Sequence, residues 1–437
     1  MWAALLVALQ TTTLPNGLEV SILEDPAMPV VATQVWYHVG AADEDPGSRG
    51  LAHLFEHLMF GATDAYPKGD YSRFVTVSGG DENAFTSEDE TVYVSAVPPK
   101  ALPGILAREG ERMRGLVLDE AGLENEKKIV LEELRLRTEN DPQSRLLVAA
   151  QRALLAGHPY SFDPSGSKED VLHASVTSCR AFYDAHYRPD QAHLVIVGDV
   201  RPAETLAKVE EAFGAIERGG TTPAAIPALV DWTYPEELDL REDIPPVEIA
   251  LAGMPLPPAD APDAAAVEVL RELLTGGSLD PFREVLVTDR GKALEAGIQW
   301  LGLKRGGGIV FYAASLPYRR RSTAFRSVDA ALAALDGLGW LTDETLDAAK
   351  RRLRTEDLAA RYYAERMANR IGEARWHRGD AASALTWSDR LAAVSREEVA
   401  AAWARYVRDG NRIRIYVKPE RVPVLIRMFG WLYPLFS

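Results

Sequence analysis

The sequence predicts an α+β protein in which one structural unit is used twice. Three observations carry this. At 437 residues the chain is too long for a single hydrophobic core. Strand-like and helix-like runs follow one another in a similar order in the two halves, which is the mark of a duplication. Between the halves, Arg218-Gly219-Gly220-Thr221-Thr222-Pro223 opens a Pro- and Ala-rich linker over 218–236. The expected domains are residues 10–218 and 236–437.

In the first half, Leu18–Leu23, Val30–Val39, Thr91–Val97 and His193–Val197 are rich in β-branched and aromatic residues and read as strands. Lys100–Arg114, Leu123–Leu134 and Ser144–Ala156 consist largely of strong helix formers. In the second half, Val247–Ala252, Ala296–Gly302, Gly308–Ala314 and Arg412–Val417 read as strands. Helices are expected at Asp263–Leu274, Ser322–Leu338, Asp343–Ala374 and Arg396–Tyr406. Ser395-x-x-Glu398 is a capping box that fixes the last of these starts.

Composition narrows the function classes. Apolar residues make up 47% and charged residues 26%, as in a globular protein. A net charge of −16 argues against nucleic acid, whose phosphates would be repelled. Cys179 is the only cysteine, so no internal disulfide forms. It lies in the helical stretch Ser178–Tyr183 and reads as core filler rather than a nucleophile.

The chemistry concentrates in His53-Leu54-Phe55-Glu56-His57. On a helix, side chains four apart share a face, so both imidazoles can turn toward one metal ion. Glu56 lies at the edge of that face, placed to hold a water rather than to complete the metal shell. The flanks Gly50-Leu51-Ala52 and Leu58-Met59-Phe60-Gly61 supply an apolar stripe that buries the helix. Glu133 is the expected third ligand, leaving a fourth position open for water. Glu126 lies seven residues before it; seven residues drift only about 20° around a helix, so Glu126 shares its face and is expected behind the ligands. Glu132 points roughly 100° away. Glu124 and Lys128 are spaced for an i,i+4 pair on the solvent side. The competing reading is a helix whose two His cap a core edge, beside a solvated Glu/Lys helix.

These motifs resemble the inverzincin zinc metallopeptidases, the pitrilysin, insulinase and mitochondrial-processing-peptidase group. The resemblance runs from Leu14-Pro15-Asn16-Gly17-Leu18 and Trp36-Tyr37-His38-Val39-Gly40 through Gly50–Thr63 and Asn83-Ala84-Phe85-Thr86-Ser87. It continues through Glu126 and Glu133, the latter 76 positions after His57, and then His158-Pro159-Tyr160, Tyr187-Arg188-Pro189 and Val197-Gly198-Asp199. It implies two homologous α/β-sandwich domains, each a mostly antiparallel sheet with helices on one side. The first would be a catalytic zinc-binding domain and the second an inactive homologue. It implies a zinc-dependent endopeptidase acting on peptides or unfolded polypeptides, with one zinc ion per chain on His53, His57 and Glu133, and Glu56 as general base. It further implies that Asn83, Ala84, Phe85 and Thr86 form a sheet edge along which the substrate lies as an added strand. From the residues alone, Asn83 fits equally a turn after Gly79-Gly80-Asp81. Because relatives enclose substrates between two such chains or within a double-length one, a homodimer, or a heterodimer with a related subunit, is expected.

The second half departs from the pattern. It has no H-x-x-E-H string, and Ser278-Leu279-Asp280-Pro281-Phe282-Arg283 stands where relatives carry a Ser-Arg-Leu-Tyr-like string. Arg319-Arg320-Arg321 reads as a solvated run, with a peptide carboxylate as its alternative partner. Trp2–Leu9 is an apolar run too short to span a bilayer. It reads as a short or truncated export signal, favouring a bacterial-type periplasmic or secreted protein, or else as a first strand or helix on the domain. Leu425–Phe436 is a dense apolar tail, expected to pack on the body or on a partner subunit. Two other function classes remain: a non-catalytic scaffold subunit of a two-chain peptidase, and a peptide-binding module with a structural metal.

Overall fold

The computed structural model describes residues 9–136, 142–220, 226–229, 236–242, 244–276, 280–288, 293–316 and 321–423. The first half runs β1 (Leu9–Thr13), β2 (Glu19–Glu24), β3 (Val31–Tyr37), α1 (Leu51–Leu58), α2 (Asp70–Val77), β4 (Asp81–Thr86) and β5 (Thr91–Val97). Then follow α3 (Leu102–Arg114), α4 (Glu120–Leu134), α5 (Pro142–Leu154), α6 (Lys168–His173), α7 (Val176–His186), β6 (Ala192–Gly198) and α8 (Pro202–Phe213). The second half runs β7 (Glu237–Glu242), β8 (Glu248–Leu256), α9 (Ala264–Thr275), α10 (Pro281–Arg283), β9 (Glu295–Leu303) and β10 (Gly306–Ser315). It continues with α11 (Arg321–Leu335), α12 (Asp343–Ala360), α13 (Ala364–Arg378), α14 (Ser383–Ala393), α15 (Arg396–Ala402) and β11 (Ile413–Pro419).

The duplication is visible in the sheets. One has the order β1-β2-β6-β3-β5-β4 and the other β7-β11-β8-β10-β9. Leaving out β1, each strand of the first has a counterpart in the second. The β2–β6 and β7–β11 pairs are parallel, and every other pair is antiparallel.

Two compact units result. Among the described residues, the first takes 9–135, Phe162–Ile226 and Asp357–Leu385; the second takes Leu136–Ser161, Pro227–Glu356 and 386–423. Each unit thus borrows a helix from the other half of the chain. In the first, Val31, Val35 and Tyr37 of β3 pack with Leu54 and Phe55 of α1. Ala32 and Trp36, on the opposite face of the same strand, are covered by Met367, Ala368, Ile371 and Ala374 of α13. Gly372 makes that approach possible, since a Cβ there would lie 2.0 Å from the Trp36 ring. In the second unit, Ile249 and Leu251 of β8 are covered by Ala150, Ala153 and Leu154 of α5.

Several expectations change. The run Asp343–Ala374 is two helices, because the chain breaks at Arg361-Tyr362-Tyr363 and Tyr363 is extended (φ −127°, ψ 119°). No Gly or Pro marks the break in the sequence. The apolar period simply restarts at Ala364 to meet Trp36. Lys127, not Lys128, pairs with Glu124, at 2.8 Å. Cys179 is fully buried, and burial pushes its thiol up to about 11, consistent with core filler. Leu9–Thr13 is an unforeseen strand, and α14 an unforeseen helix. Residues 1–8, Ser278, Leu279, Arg319, Arg320 and the apolar tail lie outside the described residues. Asp280 caps α10 ahead of Pro281, and Arg321 pairs with Glu237 and Asp239. No helix among the described residues is long and apolar enough to cross a membrane.

Candidate metal centre

α1 begins at Gly50, whose φ of +98° is costly for any residue with a Cβ. Gly50 brings no side chain to cap the helix, and a remote one does so. Both oxygens of Glu44 are used: Oε2 accepts from the Gly50 N–H at 2.8 Å and Oε1 from the Ala52 N–H at 2.7 Å. Burial pushes this carboxyl up to about 8, against the pull of the two backbone N–H groups and Arg49. On the far side of the helix, Tyr93 Oη donates to the Phe55 carbonyl at 2.8 Å. Phe55 packs on Phe182, Tyr183 and Tyr187.

Held in this way, α1 presents His53 and His57 with their ring centroids 5.2 Å apart. Glu133, near the end of α4, meets both. Its Oε2 is 3.4 Å from His53 Nε2 and 3.6 Å from His57 Nε2. The three donor atoms all lie within 4.8 Å of one another, the one such group among the described residues. Both distances are too long for good hydrogen bonds. They match the edge of a tetrahedron around zinc, which for ligand bonds of ~2.0–2.2 Å is ~3.3–3.6 Å. The donor set therefore fits a zinc ion with one open position. Glu126 sits behind His57, its Oε2 3.9 Å from Nδ1, while Lys68 Nζ and Asn125 Nδ2 donate to its Oε1 at 2.8 and 3.1 Å. Glu132 faces away and pairs with Arg135.

β4 borders the site and is the last strand of its sheet, paired with β5 alone among the described strands. Thr86, at its end, donates through Oγ1 to Glu56 Oε2 at 2.7 Å. Ala84 packs into the core on the α1 side, whereas Phe85 meets Trp36 edge-on and is 37% exposed. Asn83 is exposed within the strand rather than in a turn, and its Oδ1 accepts from the Ala84 N–H. The structure thus gathers His53, Glu56, His57, Glu133 and Thr86 at one place, with Glu126 adjoining. Glu44, Lys68 and Tyr93 escaped the sequence reading. A glutamate six residues before the helix-opening Gly50 was the one available signal.

Two family models match this chain: insulinase, peptidase family M16, over residues 19–161, and the peptidase M16 inactive domain over 173–353. The first match spans all five residues His53, Glu56, His57, Glu126 and Glu133. The chain is 27% identical over 347 residues to the zinc protease PqqE of Helicobacter pylori, covering 78% of this chain and 77% of that protein. It is 29% identical over 349 residues to an uncharacterized zinc protease of Mycobacterium leprae, covering 78% and 77%. The crystal structure of a protease from Helicobacter pylori shares the fold, with a TM-score of 0.83 and 24% identity over 94% of this chain and 99% of that one. The chain belongs to peptidase family M16, the insulinase and pitrilysin-like zinc proteases, and its second half is of the family's inactive type.

Proposed function

We propose that the chain is a zinc-dependent endopeptidase that cleaves peptides or unfolded polypeptides. Residues 10–218 would do the chemistry and 236–437 would serve as a non-catalytic companion. His53, His57 and Glu133 are the proposed ligands, and Glu126, paired with Lys68, stands 3.9 Å behind His57 Nδ1, where its carboxylate favours a proton on that nitrogen and leaves Nε2 for the metal. When bound there, zinc polarises a scissile carbonyl and brings the pKa of a water near neutrality. The rest belongs to the chain. Glu56 takes the proton of that water and hands it to the leaving amine, which departs poorly unless protonated. Thr86 occupies one oxygen of Glu56 and so fixes which oxygen meets the water. Because Thr86 ends the free strand β4, a peptide added along Asn83–Thr86 is delivered beside the base.

The observation that supports this reading most is the pair of 3.4 and 3.6 Å separations around Glu133 Oε2, next to Glu56. The test is zinc content together with cleavage of an unstructured peptide mixture. Wild type is expected to hold one zinc and to cleave, and Glu133→Ala to lose both. Zinc without cleavage would point to a binding module, and neither would point to a scaffold subunit. The likeness to the first half of the Escherichia coli periplasmic protease PqqL, and to the whole of PqqL with 49% of that chain covered, suits a paired assembly, here a homodimer or a heterodimer with a related chain. Light scattering that finds a fully active monomer would remove the dimer.

A further inference from the structure

The second unit repeats not only the sheet but the two helices of the metal centre. α9 follows β8 as α1 follows β3, and α12 follows the counterpart of β5 as α4 follows β5 itself. Counting residues fixes the correspondence. His53 stands sixteen residues beyond Tyr37, the end of β3, and Glu272 stands sixteen beyond Leu256, the end of β8. His53 and Glu133 are eighty positions apart in sequence, and so are Glu272 and Arg352. On the same count Gly276 answers to His57 and Thr275 to Glu56.

The contact itself recurs. Glu272 Oε1 meets Arg352 Nε at 2.5 Å, joining α9 to α12 as His53 and Glu133 join α1 to α4. The environments agree as well. The inner partners are 6% and 2% exposed (His53, Glu272), the outer ones 37% and 39% (Glu133, Arg352). Where His57 stands in the first unit there is no side chain at all. A Cβ on Gly276 would lie 2.0 Å from Glu272 Oε1, so the Glu272 carboxylate fills that space. A second guanidinium, Arg271, stands 3.8 Å from Glu272 Oε2.

We infer that the second unit holds a metal centre converted into an ion pair, with the Arg352 guanidinium supplying from within the positive charge that a cation brings to the first. This rests on reading His53, His57 and Glu133 as metal ligands. The anion has moved from the outer helix to the inner one, and a group that stays charged at any working pH has taken the opposite place. The inactive half therefore binds no metal and needs none to hold its helices together.

Reversal tests the inference. The triple variant Glu272→His, Gly276→His, Arg352→Glu restores the donor set and clears the carboxylate that blocks residue 276. Its zinc content is expected to be one ion per chain above that of wild type. A folded triple variant with wild-type stoichiometry overturns the inference. Should the triple variant fail to fold, a second comparison decides. Arg352→Met strands a buried carboxylate and lowers Tm, whereas Glu272→Met with Arg352→Met removes both charges and recovers most of the loss. A double variant as unstable as the single one overturns the inference. If wild type itself holds no zinc, the reading of the first unit fails, and the thermal comparison still judges the second.

Discussion

Glu56 and Glu44 show how two carboxylates eight residues or fewer from the same helix start take different work. Glu56 accepts a hydrogen bond from Thr86 and is not one of the three donor residues, so replacing it with Gln leaves the donor atoms in place. Zinc content is expected to be unchanged while turnover falls by ~10²–10⁴; ordinary turnover in that variant would remove Glu56 from the chemistry. Glu44 works at a distance by closing the N-terminus of α1. Glu44→Ala leaves two buried N–H groups without acceptors, at ~1–3 kcal/mol each. A lowered Tm and weaker zinc retention against a chelator are expected, and an unchanged Tm would show that water replaces the cap. At this scale much was legible. The shared face of His53 and His57, with Glu56 at its edge, follows from helical spacing, as does that of Glu126 and Glu133, whereas the pairing of Glu133 with a helix 76 positions earlier rested on the family resemblance. Glu44 and Lys68 were not legible, because a cap from outside the helix and a lysine 58 positions before its partner follow no local period.

Elements were legible in proportion to their burial. β3 and β6 are buried along their whole length and read plainly as strands. β4 (Asp81-Glu82-Asn83-Ala84-Phe85-Thr86) alternates exposed and half-buried residues and carries no apolar signature. Only the family resemblance marked it as an edge. β1 was missed for the same reason, with four of its five residues exposed. β6 also carries a titration. His193 is wholly buried, with Nε2 on Ser21 Oγ at 2.9 Å; burial, with Arg375 adding, holds its imidazole down to about 3. The folded chain keeps this ring neutral while the unfolded chain protonates it below about pH 6.5. Stability is therefore expected to fall as pH drops from 6.5 toward 3. Urea titrations at pH 7 and pH 5 check the slope, and His193→Gln should flatten it. An unaltered slope would assign the acid sensitivity elsewhere.

At the scale of the molecule, the sequence disclosed the duplication but not the exchange of helices. α5 and α13 look like ordinary amphipathic helices, and nothing in their periods names the sheet they cover. The exchange makes each half incomplete. A fragment ending at residue 218 lacks α13 and so leaves Ala32, Trp36, Val195 and Val197 uncovered. It is expected to aggregate or to bind a hydrophobic dye, and to be rescued by co-expression with the remainder. A soluble fragment with a sharp unfolding transition would contradict this. The same exchange has a temporal side. On the ribosome the strands of the first sheet are all present once Gly198 has emerged, yet α13 is not finished until Arg378, 180 residues later. At ~5–20 residues per second that interval lasts ~9–36 s. For that time the nascent chain carries a sticky tryptophan-bearing face with no lid, and a chaperone that shields it would do most good in that window.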